Sequence, residues 1–213
     1  MQATWIETET TIDTVSCKGQ DITLTNVKAM KNLVNNDIII HPSALFEAEM
    51  QQLAKQVNVE FRDIATLLAI QAKPGLFKEG ETLYKYHLQK QLFYFWKRLE
   101  KMGVAKFPEE EFVAAKNGPV PKELNNDLER LVSDGVLSVK KEKWRDTESK
   151  RIILTPKGVA LAECIWGLVP DLLLEVATDV KERIFPLDPE TVRHKVHQEF
   201  PQYKNSYIEN DIE

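Results

Sequence analysis

The chain has 213 residues, a formal charge of -5 and a pI near 5.5. Hydrophobic residues make up 43% and charged residues 29%, the composition of a globular protein that buries a core without disulfide or metal staples. This balance excludes a uniformly basic nucleic-acid protein, so any nucleic-acid role rests on a local basic patch.

Residues 1–80 form an N-terminal extension with two parts. Thr4–Thr14 is rich in Thr and Ile, and Asp21–Leu24 is a second short β-like run. With Lys18-Gly19-Gln20 as a turn between them, the pair reads as a small β-hairpin or an irregular arm. From His41 the pattern turns helical. Leu45, Phe46, Met50, Leu53 and Val57 share one face, and Val59–Ala72 repeats the theme until Pro74-Gly75 stops it. Together they predict an αα-hairpin.

Leu83–Met102 is the clearest helix and the expected hydrophobic spine. Leu88, Leu92, Phe95, Trp96, Leu99 and Met102 trace a continuous stripe, and Gly103 is placed to cap it. Phe107 and Phe112 follow on a connecting stretch. Asn117-Gly118-Pro119-Val120-Pro121 is a rigid turn, with Pro121 expected in the first turn of a helix over Lys122–Ser133. Val136–Val139 and Ile152–Leu154 read as short strands around the polar loop Lys140–Arg151. Thr155-Pro156 then supplies an N-cap and a first helical residue. Two more helices follow, over Leu172–Ile184 and from Asp188 to about Phe200. The expected class is mainly α: a winged helix-turn-helix-like domain over 81–204, extra helices, the N-terminal hairpin or arm, and a polar tail over 205–213.

Catalytic signatures are missing from the sequence. No GxxxxGK, GxGxxG, GxSxG or HExxH spacing occurs, so no catalytic residues are assigned and no cofactor is expected. His194 and His197 stand three apart, but a zinc site needs three or four ligands, and a solvated helix face is the expectation. His41, and His87 on the polar side of its helix, lack an evident catalytic partner. Cys17 and Cys164 are too few for a disulfide framework, and Cys164 reads as a small core residue. No basic stretch leads into an apolar core at the N-terminus, and Val159–Val180 is interrupted by charge and Pro170. A cytoplasmic protein without membrane contact is therefore expected.

Charge patterning is more informative. The loop from Lys140 to Arg151 carries Lys140, Lys141, Lys143, Arg145, Lys150 and Arg151 against three acids, a net +3. Trp144 adds an aromatic able to lie on a sugar or base. Such a loop suits phosphate contacts to double-stranded DNA, or equally a solvated hairpin whose charges keep an edge soluble. The preceding helix has more acids than bases. Asn125 and Asn126, with Lys122 and Arg130, are its residues suited to a groove, so DNA binding would need the wing or a homodimer. From Pro170 onward, ten acidic residues face five basic ones, a surface suited to a basic protein partner.

Tyr86–Tyr94 reads YHLQKQLFY, and Phe112 is followed by AAKNGPVPKEL. Gln89, Lys90, Leu92 and Tyr94, then Phe112, Ala114, Gly118, Pro119 and Val120, resemble the opening of the SocA/Panacea-type phage-associated domain. Ala115 stands where that pattern has an aromatic. The Leu154–Ala162 run, LTPKGVALA, is similar to the end of the wing in many bacterial and archaeal regulators. The first resemblance implies a non-enzymatic, antitoxin-like module that binds a protein partner such as a toxin. The second implies a DNA-binding transcriptional regulator.

Overall fold

The computed structural model describes residues 4–15, 21–71, 82–104, 111–115, 117–144 and 147–203. At 15, 82, 143, 144, 147 and 148 it describes the backbone alone. The proposed turn at Lys18-Gly19-Gln20, and Cys17, Pro74-Gly75, Phe107, Arg145 and the tail 205–213, lie outside these residues.

Three β-strands open the chain. β1 (Trp5–Val15) and β2 (Asp21–Asn32) pair antiparallel, and β3 (Ile38–Ile40) joins the far side of β2. Leu24, Val27 and Ala29 are buried on one face of β2, against α1 (Pro42–Gln56). The hairpin is much longer than the expected Asp21–Leu24 run because a bulge hides it. Register shifts between Thr10 and Ile12, where Asn26 takes a φ of 58°. The extra residue moves burial from Leu24 to Val27, breaking the two-residue period by which a strand is recognised.

α2 (Phe61–Ile70) starts from a reciprocal cap: the Asp63 carboxylate accepts from the Glu60 backbone N–H at 2.9 Å. β4 (Thr82–Tyr84) leads directly into α3 (Lys85–Lys101). A short hairpin, β5 (Phe112–Ala115) and β6 (Gly118–Pro121), precedes α4 (Leu124–Ser133). Then come β7 (Leu137–Trp144), β8 (Thr147–Leu154), α5 (Pro156–Leu168), α6 (Asp171–Ile184) and α7 (Pro189–Glu199). β4, β8 and β7 form one sheet in that order. No helix among the described residues is long and apolar enough to cross a membrane.

The mainly α expectation, a winged helix-turn-helix-like domain with a small hairpin, is overturned. The described residues hold three antiparallel sheets beside seven helices, with 28% strand, which is a mixed α/β architecture. Besides the long hairpin, β4 was hidden in the predicted helix. Prolines in β6 disguised a strand as a turn, and Pro121 ends that strand three residues before α4 begins.

α3 is the spine, but not through one stripe. Leu88, Leu92, Phe95, Trp96 and Leu99 are buried as expected, whereas Met102 is exposed. His87, Lys90, Gln91 and Phe93, assigned to no stripe, are buried too. α2, α6, β6 and β8 all pack on α3, so it is covered on most of its circumference. His87 sits 2.9 Å from the Leu187 carbonyl, the reverse of its expected polar setting. Cys164, expected in the core, is exposed on α5.

The Thr-Pro-Lys-Gly run acts as a clamp on the end of α4. Thr155 caps α5 by accepting from the Gly158 N–H at 3.1 Å, and its hydroxyl donates to the Gly135 carbonyl at 2.6 Å. Lys157 donates to the Asp134 carbonyl at 2.7 Å. A Cβ on Gly158 would lie 2.1 Å from the Val136 carbonyl oxygen, so only glycine allows this approach. Gly158→Ala therefore costs roughly 1–3 kcal/mol in a urea melt. Leu92→Ala and Trp96→Ala each cost about 3 kcal/mol or more. An unchanged midpoint for any of the three contradicts the packing described.

Candidate functional site

The basic segment expected to be a wing is a regular two-stranded ladder. Lys140 stands opposite Arg151, Lys141 opposite Lys150, and Lys143 opposite Glu148. Opposed residues share a face of the sheet. Lys141 and Lys150 therefore continue the face whose inner end is buried Leu137, Ile152 and Leu154. The Lys85 ammonium, at the start of α3, is held below the usual lysine range by burial, with the nearby Lys150 charge adding to the effect. Lys85 and Lys150 thus form a small positive cluster. Arg151 belongs to the opposite face and is engaged internally. Its guanidinium pairs with Glu142 at 2.7 Å, donates to the Tyr84 hydroxyl at 2.9 Å and stacks over that ring. Lys140 and Lys141 are exposed. Trp144 stands opposite Thr147 near the hairpin tip, and Arg145 lies beyond the described backbone.

α4 does not present a recognition surface. Arg62 clasps buried Asp127 with two bonds, 3.0 and 3.1 Å, while Arg130 reaches Asp63 at 2.7 Å, Asp127 at 3.1 Å and Glu60 at 2.9 Å. Asp127 and Asp63 are almost fully buried, so this network fixes α4 to the start of α2. Burial lifts the Asp63 carboxyl above its usual range, against the lowering pull of Arg130. Arg130 is therefore committed inside the fold rather than to a phosphate. Asn126 donates to Glu123 at 2.8 Å, and Asn125 is half-buried beside it.

The residues that carry the SocA/Panacea-type resemblance divide. Lys90 and the Gly118-Pro119-Val120 strand meet in the interior, while Gln89 is half-buried one position away and is not part of the contact. Lys90 has no exposed surface. Its Nζ donates to the Pro119 carbonyl at 2.8 Å and lies 5.2 Å from the centre of the Tyr86 ring. Gly118, at φ 94°, lets the strand come this close: a Cβ there would stand 3.3 Å from Val196 and 3.5 Å from Lys90 Nζ. Burial lowers Lys90 to a pKa of about 7. The Tyr86 and Tyr94 hydroxyls are pushed well above their ordinary range by the same cause. His197 approaches Gly118, whereas His194 points to solvent within 3.8 Å of Glu190, so the two histidines do not converge.

Sequence reasoning missed the strongest surface feature, at the N-terminal sheet. Met30, Leu33, Val34, Ile38 and Ile39 are all exposed around the β2–β3 turn, Ile39 by 56%. On the solvent face of β1, Glu7, Glu9 and Asp13 project at alternate positions, all exposed. The three-isoleucine run at 38–40 was the available signal, and its strand character was overshadowed by the helix that follows. Among the described residues nothing pairs with the outer edge of β1 or of β3.

No protein-family model and no curated protein sequence matches the chain.

Lys90 makes stability depend on pH. Its folded pKa lies below the ordinary 10.5, so between about 7 and 10.5 the unfolded chain binds more protons and stability rises with pH. Thermal melts from pH 7 to 9 should shift upward for the wild type and less steeply for Lys90→Met. Equal slopes contradict a buried Lys90 that gives up its proton near pH 7 in the folded state.

Proposed function

We propose that this is a non-enzymatic interaction protein, antitoxin-like or phage-associated, that binds a basic protein partner through its N-terminal sheet. The observation that carries the reading is β1. It is an 11-residue strand with an open outer edge and exposed Glu7, Glu9 and Asp13 on one face. Edges are guarded by charged side chains, Pro, bulges or a covering element, and the charges that guard β1 are all acidic, so they oppose an acidic strand and admit a basic one. A partner strand added there gains main-chain hydrogen bonds, and alternate Lys or Arg side chains on it meet the row of carboxylates.

The other acidic surface is less available. On the C-terminal helices Asp179 is paired with Arg98 and Arg183, Glu190 with Arg193, and Glu199 with Lys195. Asp179, Glu190 and Glu199 are thus answered from within the chain, whereas Glu7 and Glu9 have no ion pair among the described residues.

A second reading, a regulator that contacts double-stranded DNA, is favoured by one observation: Lys85 and Lys150 lie near one another, with Glu129 also close to Lys85, beside exposed Lys140 and Lys141. Against it stand the internal commitments of Arg130 and Arg151.

One experiment separates the two. The tagged chain is recovered from its native host, and duplex DNA retention is measured at about 50 mM salt, where phosphate contacts are strong. A Glu7→Lys/Glu9→Lys double variant should lose the co-purifying basic protein roughly tenfold or more. A Lys140→Ala/Lys141→Ala/Lys150→Ala variant should keep it. Loss of DNA retention in the lysine variant, with no protein partner affected by the glutamate variant, would replace the first reading by the second.

A further inference from the structure

The opposite edge of the same sheet is chemically unlike β1. β3 is Ile38-Ile39-Ile40, without charge or proline, and Ile38 and Ile39 are 48% and 56% exposed. Met30 stands opposite Ile39 on the neighbouring strand, and Leu33 and Val34 extend the apolar surface into the turn. An uncovered apolar edge of this kind invites pairing with another strand.

We infer that β3 pairs antiparallel with β3 of a second copy of this chain, around a two-fold axis through Ile39. The occupant follows from self-complementarity. In that register Ile38 meets Ile40 of the second copy, and Asp37 meets His41 of the second copy, an acid against an imidazole. No like charges are brought together. A two-fold contact requires one patch to match itself, and an uncharged isoleucine strand does so. The same operation on β1, centred on Glu9, sets Glu9 against its own copy and is opposed by charge. Registers centred on Thr8 or Thr10 likewise oppose Glu7 to Glu9 or to Asp13, so β1 is the less suited self-pairing edge, and β3 offers no charge to select a foreign strand. The product is a continuous six-stranded sheet with β1 at both outer edges, where it stays accessible. This inference stands independently of the protein-binding role proposed for β1.

The test is the molar mass of the full chain by light scattering across micromolar concentrations, for wild type, Ile39→Lys and Glu9→Lys. Wild type and Glu9→Lys should be dimeric, and Ile39→Lys should dissociate at least roughly tenfold more readily. Because Ile39 is exposed, this variant should keep wild-type circular dichroism. Geometry is checked in a Cys17→Ser/Cys164→Ser background. Opposed residues of an antiparallel pair stand about 4.5–5.5 Å apart at Cα, within disulfide reach. Ile39→Cys should cross-link to its copy under mild oxidation, and Glu9→Cys should not. A wild type that is monomeric throughout overturns the inference. So does a dimer that survives Ile39→Lys, or one that cross-links through Glu9→Cys rather than Ile39→Cys.

Discussion

α3 is covered on most of its circumference, with Arg98 and Lys101 left exposed, and that constraint organises the protein. An amphipathic helix needs one cover; this one also carries His87, Lys90, Gln91 and Phe93 inside, so several elements must close over it. α2 and α6 take the apolar stripe. The β5–β6 hairpin takes Lys90, which requires an acceptor once removed from water. The Pro119 carbonyl supplies it, and Gly118 lets the strand approach. The Leu-Gln-Lys helix and the Gly-Pro-Val turn, 28 residues apart in sequence, thus form one physical unit: a buried ammonium and its carbonyl. Lys90, Gly118, Pro119 and Val120 are all buried, and together they tie the β5–β6 hairpin to α3.

The same accounting applies to the other charges. Arg62, Arg130, Asp63, Asp127 and Glu60 bind α4 to α2, and removing one member of such a network leaves a buried charge unanswered. Arg151 anchors the β7–β8 hairpin to β4 through Tyr84. Arg130 and Arg151, read in the sequence as candidates for contact with nucleic acid, are thus engaged within the fold. After folding, Lys140 and Lys141 of the hairpin and Glu7, Glu9 and Asp13 of β1 remain exposed at the surface.

Much of the helical framework was legible because apolar spacing and caps are local. Thr155-Pro156 opened a helix as expected, and the strands around Lys140–Arg151 were found in the right place, although shorter than β7 and β8. What was hidden depended on non-local facts. The bulge at Asn26 destroyed the alternation that would have revealed β2. β4 is three residues whose strand character exists only because β8 lies beside it. The burial of Lys90 could not be inferred from a helix whose polar positions normally face water, nor the internal use of Arg130 from a helix whose neighbours were unknown. The motif residues Lys90 and Gly118–Val120 were singled out, but their meeting was not foreseen. The N-terminal surface was missed because exposure of Ile38 and Ile39 is a property of what fails to cover them.

The N-terminal sheet stands apart from the α3-centred core: Leu24, Val27 and Ala29 are buried, yet outside the main cluster. Docking at the two sheet edges, as proposed, would leave the α3-centred core undisturbed. Native-state hydrogen exchange measures it most directly. The account predicts that amides in β1, β2 and β3 exchange through an opening of their own, at a free energy clearly below that of the α3 amides and with a weaker denaturant dependence. Exchange of both sets at the same free energy and with the same denaturant dependence would show one cooperative unit and contradict the account.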